Sequence, residues 1–333
     1  MRTSKPSTEC VRVGFYLTPN FPLLAFSAAL DPLRQANRLN EHPLYEWVLI
    51  SLDGSPVENS AGFAVPIDCG VDNAPHCDVV IVCSGVDPAR YFKRGALTWF
   101  RRLSRQGVLL GGISTGAYLL ARAGLLDGRR CTVHWENSAD FQEAFPNVLA
   151  TNDIFTADGP FITSSGGTAT LDMMLSIVES FHGRTLAVAI SDQFNHPQIR
   201  GKGESQRMTP EARYGITHDR LSSIVRLMQN SVQAPIGVEV LAHRVGLSSR
   251  QMERLFLSHL GRTPVAFYAA LRMERAHELV SRTSLSIDVV AQHCGYSSAT
   301  HFARRYRAHF GVTPAAERAA KATRPQKDAD NTS

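Results

Sequence analysis

Along residues 11–185 short apolar runs alternate with stretches whose apolar positions recur at helical spacing. "VRVGFYL" (11–17), "YEWVLISL" (45–52), "CDVVIVC" (77–83) and "GVLLGGI" (107–113) are rich in Val and Ile and too short for buried helices, so they predict strands. Between them, 23–39 and 97–105 repeat apolar residues every three to four positions and predict helices. "CTVHW" (131–135) reads as a further strand and "IFTADGPFITS" (154–164) as a hairpin turning at Asp158-Gly159. A helix is expected from near Thr168 through "LDMMLSIVESF", followed by a second in "RTLAVAISDQF". This order predicts a flavodoxin-like α/β domain, a mostly parallel sheet covered by helices, over 11–195.

Periodicity then stops. "HPQIRGKGESQRMTPEARYG" gathers Pro, Gly and charge, and 196–217 is expected to be a linker. Beyond it every segment has helical spacing, so 218–318 is expected to be an all-α domain. The ends, 1–10 and 319–333, are polar, and disorder is expected there.

The helical third contains a repeat. "VEVLAHRVGLSS" (238–249) matches "IDVVAQHCGYSS" (287–298) at an offset of 49. After one extra residue the offset becomes 50, pairing Arg254 with Arg304, Gly261 with Gly311, and Thr263-Pro264 with Thr313-Pro314. Each copy is a helix ending at a glycine (Gly246, Gly295), a turn with an N-capping serine (Ser248 or Ser249; Ser297 or Ser298), and an amphipathic helix. That is a helix-turn-helix, whose second helix enters the major groove of double-stranded DNA. Candidate DNA-contacting residues are Ser249, Arg250, Gln251, Glu253 and Arg254 in the first copy. The second offers Ser298, Thr300, His301, Arg304 and Arg305.

Charge sharpens this picture. Residues 1–217 carry a net −2, whereas 218–320 carry +6, with every basic residue there an arginine. A basic helical domain is the electrostatic footprint of nucleic-acid binding. The six cysteines show no paired or zinc-type spacing, so no disulfide framework, metal or cofactor is expected. No secretory leader pattern and no run of roughly 18 apolar residues stands in the chain, and a cytoplasmic location without membrane contact is expected.

"GGISTGAYLL" (111–120) carries the second chemical question. A strand, a sharp turn and a helix are expected there, the arrangement that presents a nucleophile in many α/β enzymes, and the turn offers Ser114. A serine hydroxyl needs a positioned base and a group orienting that base. His134 is a candidate base, and Glu136, Asp153 or Asp158 could supply the third member. The alternative is a pocket that binds without reacting. Ligands of such sheets sit at the C-terminal ends of the strands. Phe26, Ser114, Thr115, His134, Trp135, Glu136, Gly167 and Thr168 are the candidates for that edge. Aromatics beside an acid suit an amine or quaternary ammonium, and a helix opening at "SSGGTAT" suits a carboxylate. Together they describe a betaine or an amino acid.

Residues 218–318, with "VVAQHCGYSSATHFARRYRAHFGVTP", resemble the AraC/XylS-type DNA-binding domain. That resemblance implies two recognition helices entering successive major grooves about 34 Å apart, with Arg250, Glu253, Arg254, Thr300 and Arg304 at base edges or phosphates; Ala299 stands where relatives carry a longer polar residue. Residues 11–185 resemble the class I glutamine-amidotransferase-like fold in its PfpI/ThiJ branch. There the nucleophilic cysteine position holds Ser114, the histidine position His134, and the acid position falls at about Ala25, which has no carboxylate. The resemblance implies no catalysis. "GFYLTPNFPLLAFSAALDPLRQANRL" is similar to regulators joining both domains, which implies a homodimeric activator working with RNA polymerase and answering to an amine or amino-acid catabolite.

Overall fold

The computed structural model describes residues 10–282 and 285–322. The chain divides between Gln206 and Arg207 into two compact units.

In the first unit the chain runs β1 (Val11–Leu17), α1 (Leu23–Leu39), β2 (Tyr45–Ser51), β3 (Val57–Glu58), β4 (Ala64–Val65), β5 (Cys69–Gly70), β6 (Val79–Ser84) and α2 (Arg94–Arg105). It continues through β7 (Leu109–Ser114), α3 (Gly116–Arg122), β8 (Arg130–Thr132), α4 (Ser138–Ala144), β9 (Leu149–Thr151), β10 (Phe155–Asp158), β11 (Phe161–Ser164), α5 (Ala169–His182) and α6 (Arg184–Gln193). Seven strands form one sheet in the order β10-β11-β7-β6-β1-β2-β5. All pairings in it are parallel except β10 with β11.

Strand alternation builds a core on each face. In β6, Val79, Ile81 and Cys83 point into one core with Phe15, Ala29 and Met173, while Val80 and Val82 point into the other with Phe100, Ala117 and Leu119. Residues 131–135, expected as one strand, stop pairing at Thr132 and continue as a short 3-10 turn from Trp135 to Asn137. Thr132 donates its backbone N–H to Thr163 Oγ1, and its hydroxyl meets those of Thr151 and Thr156. A buried threonine cluster thus fastens the small β8-β9 sheet to the main one.

The stretch expected as linker is divided between the units. Residues 196–206 are hydrogen-bonded to the first unit: Glu204 O accepts from Ile154 N, Gln206 N donates to Asn152 O, and Ser205 bridges Asp153. Their lack of periodicity reflects loop packing. In the second unit α7 (Pro210–Tyr214), capped by Thr209, precedes α8 (Asp219–Asn230).

Six helices follow: α9 (Val238–Arg244), α10 (Ser249–Leu260), α11 (Pro264–Arg282), α12 (Ile287–His293), α13 (Ala299–Phe310) and α14 (Pro314–Ala322). Helix α14 carries the chain past the expected domain end at 318. The remaining expectations for the termini concern residues 1–9 and 323–333, outside the described ones. The Thr-Pro pairs act as helix starts, Thr263 and Thr313 each accepting a backbone N–H three residues on. Among the described residues no helix is long and apolar enough to cross a membrane.

Candidate functional site

Two regions collect the chemistry, one in each unit. In the second, Gly246 and Gly295 take φ of 69° and 73°, the left-handed turn a glycine allows without penalty. The serine caps resolve to Ser248, which accepts from Gln251 N, and Ser298, which accepts from His301 N. Ser249 is therefore the first residue of its helix. The turns differ by one residue, Ser297, and this is the insertion that moves the repeat from offset 49 to 50.

Helices α10 and α13 rest on Met252 and Phe256, and on Phe302 and Tyr306. Ser249, Arg250, Gln251, Glu253 and Arg254 are exposed, as are Ser298, Thr300, His301, Arg304 and Arg305. Two of them already have local work. Gln251 Oε1 accepts from Ser248 N at 2.8 Å, completing a capping box. The His301 ring meets Tyr296 edge-on at 5.6 Å. Arg272 on α11 braces the second turn, donating to Cys294 O at 2.8 Å and Gly295 O at 2.7 Å with its guanidinium 4.0 Å from the Tyr296 ring.

In the first unit, β7 passes into α3 through a sharp elbow at Ser114, whose φ is 58°. A non-glycine residue held there is strained. Its neighbours explain the fit. A β-carbon at Gly116 would stand 2.0 Å from Val82 O, and one at Gly166 would stand 3.1 Å from Ser114 Cβ. The glycines bring both β6 and the 165–168 loop against the serine. Thr115 is buried and donates its hydroxyl to Gly85 O. Ser84 pairs with Ser114 in the sheet, and Thr18 donates to Ser84 Oγ at 3.1 Å. Among the described residues Ser114 Oγ has no hydrogen-bond partner of its own.

His134 caps the 3-10 turn: its Nδ1 accepts from Glu136 N at 3.4 Å and lies 3.9 Å from the Glu136 carboxylate. The Trp135 ring lies 5.4 Å from the His134 ring. Asp153 pairs with Arg130 at 2.9 Å, while Asp158 accepts from Arg130 N and faces Arg129, so Glu136 is the carboxylate beside His134. Phe26 stands on α1. Its ring is buried edge-on between Phe15 and Phe21, at 5.6 and 5.3 Å, and the structure assigns it to the core. The acid position of the resembling enzymes is filled by buried Ala25.

The most heavily bonded carboxylate escaped the sequence reading. Asp172, one turn into α5, is 0% exposed. Its Oδ1 accepts from His196 Nε2 and Arg200 N, both at 2.8 Å, and its Oδ2 from Arg200 Nε at 2.9 Å, with the terminal guanidinium nitrogen of Arg200 in ion-pair contact at 2.6 Å. Arg200 also donates to Thr168 Oγ1 at 2.9 Å, beside Gly167, whose φ is 56°. Gln206 ties the other flank. It accepts from Trp135 N at 2.7 Å and donates to Val133 O and Asp153 O, both at 2.9 Å. No local pattern announces contacts between residues 24 to 73 positions apart.

Four free cysteines are buried: Cys77, Cys83, Cys131 and Cys294. Burial pushes the Cys131 and Cys294 thiols up to about 12. Among the described residues no group of three or more His, Cys, Asp and Glu side chains is arranged to hold a metal.

An α/β domain with a preserved elbow, followed by paired helix-turn-helix units, defines a DNA-binding transcriptional regulator. Residues 12–180 match the DJ-1/PfpI family and residues 241–320 a helix-turn-helix domain. The chain is 44% identical over 306 residues to the HTH-type transcriptional regulator GbdR of Pseudomonas aeruginosa, covering 92% of this chain and 83% of that protein. It is 42% identical to CdhR of the same species, covering 92% and 90%. The crystal structure of an AraC family transcriptional regulator from Pseudomonas putida overlays with a TM-score of 0.51 at 28% identity, covering 55% of this chain and 99% of that one. The chain belongs to the AraC-type transcriptional regulators that carry an N-terminal DJ-1/PfpI domain.

Proposed function

We propose that the first unit is a non-catalytic sensor for a small nitrogenous metabolite, and that its occupancy reaches the DNA-binding unit through residues 196–206. The observation that carries this reading is Gln206. The last residue of the first unit holds the backbone on both sides of His134, in the segment that also bears Trp135 and Glu136. A ligand that moves this segment must make or break those bonds, and with them the anchorage of the chain entering the second unit. Differential binding of this kind is all a regulator requires.

The effector class follows from the groups offered. Glu136 and the partly exposed Trp135 suit an ammonium, and the loop opening α5 beside Ser114 suits a carboxylate, so a betaine or amino acid fits. Catalysis is disfavoured by the histidine. A general base for serine needs Nε2 free to accept, with Nδ1–H donating to a carboxylate. Here Nδ1 accepts from Glu136 N, which places the neutral ring's proton on Nε2. The protein then acts in the cytoplasm as a homodimeric activator with RNA polymerase.

Thermal melting of the full chain against betaines, amines and amino acids tests the sensor. A ligand at about 100 times its Kd adds about 2.7 kcal/mol and should be recovered unchanged. Gln206→Ala should keep that shift and lose induction of a promoter reporter. A consumed ligand would restore the enzyme reading, and full induction in Gln206→Ala would remove the proposed route.

A further inference from the structure

The two recognition helices are built from one repeat but carry different chemistry. At an offset of 50, with each helix aligned on its capping serine, Arg250 faces Thr300, Glu253 faces Ala303, Leu255 faces Arg305, and Leu257 faces Arg307. Only Arg254 and Arg304 agree among these outward positions. Helix α10 has two arginines and a glutamate, a net +1. Helix α13 has three arginines and no acid, a net +3. Arg250, Glu253, Arg254, Arg304, Arg305 and Arg307 are all exposed, and none is in an ion pair among the described residues.

We infer that the helices divide the work: α10 reads base sequence, and α13 grips the phosphate backbone. An acidic side chain on a helix facing DNA is repelled by every phosphate and gains by accepting a hydrogen bond from an exocyclic base amine, canonically cytosine N4. Glu253, beside two guanidiniums able to bind guanine bidentately, gives α10 a donor-and-acceptor set that distinguishes bases. Helix α13 has the opposite character. Its extra charges replace leucines, its third residue, His301, leans on Tyr296, and Ala303 replaces the acid. Arginines without an accompanying acceptor neutralise phosphates, which position a protein without specifying sequence. Gln251 is held for another role: its side-chain oxygen accepts from Ser248 N, so it positions α10 and is not available for the bidentate pairing with adenine.

The test selects sequences from a library of random DNA duplexes with the full-length chain and repeats the selection with variants. The expected wild-type result is one strongly specified block, flanked one helical turn away by a weakly specified one. Glu253→Gln should relax a single cytosine in the strong block, by between about fivefold and 150-fold. Arg305→Ala with Arg307→Ala should leave the selected sequence unchanged and lower affinity uniformly, reducing the slope of log affinity against log salt by about 2. Two equally specified blocks, or a changed sequence in the double arginine variant, would overturn the division. If no sequence is enriched and Arg254→Ala binds random duplex as well as the wild type, DNA recognition itself is lost, a separate failure. Thermal melting of each variant confirms that it is folded, since all four positions lie on the surface.

Discussion

Replacing Asp172 by alanine removes the acceptor that holds residues 196–200 against α5. The carboxylate is fully buried and receives three hydrogen bonds from His196 and Arg200, with a further Arg200 guanidinium nitrogen in ion-pair contact. Deleting one partner of a buried charge pair costs about 3–5 kcal/mol, because the other is left without its counter-charge. The stranded groups here are not sealed in: the Arg200 and His196 side chains keep 30% and 19% of their exposure and can recover water. The lower figure, about 3 kcal/mol, is therefore the one to expect, and for a unit of this size it lowers the melting midpoint by about 6–12 °C. Differential scanning calorimetry on the full chain separates the effect by unit. The transition of the first unit should fall while that of the second stays in place. Asp172→Asn keeps one acceptor oxygen and should fall between alanine and wild type. A midpoint for Asp172→Ala within 1–2 °C of wild type would mean that the 196–206 segment is not held by this carboxylate.

Two further expectations are simpler to check. In the native protein a thiol reagent at pH 8 should modify exposed Cys10 first, with Cys69 next, while Cys77, Cys131 and Cys294, whose thiols burial pushes up to about 11, 12 and 12, react only on unfolding; rapid labelling of Cys131 by mass spectrometry would contradict the packing of β8. Hydrogen bonds from Ser222, Thr209 and Arg226 hold Glu211 down at about 2, below its ordinary 4.5. A depressed carboxylate stabilises the fold above its unfolded value and stops doing so as pH falls through the folded one, so the melting difference between wild type and Glu211→Gln should be full at pH 6 and shrink between pH 4.5 and 2. A difference independent of pH would deny Glu211 that role.

The sheet and the helix-turn-helix pair were legible because each rests on local signals. Short β-branched and apolar runs become β1, β2, β6 and β7, of which β1 and β6 are buried on both faces. Gly246, Gly295 and the Thr-Pro pairs fix turns and helix starts with their own backbones. What escaped was made by side chains reaching across the chain. Asp172 sits in a helical pattern that would tolerate any polar residue, and only the fold brings Arg200 to it. Phe26 follows β1 closely in sequence, which puts it among the edge candidates, yet T-shaped packing against Phe15 and Phe21 draws it inward. The insertion at Ser297 was visible as a shift of register, but which serine caps each helix depended on backbone geometry.

The anchorage of residues 196–206 bears on how this chain can be dissected. Periodicity ends near 195, and a scissor guided by it would cut there. The fragment left behind would contain a carboxylate entombed in α5 with no cation, and a 133–135 segment without the amide that clasps it. Such a piece would aggregate or bind poorly for reasons unconnected with its effector. Cutting after Gln206 leaves both clasps closed. A protease given the intact chain should agree, sparing 196–206 and choosing the exposed residues that follow, around Met208.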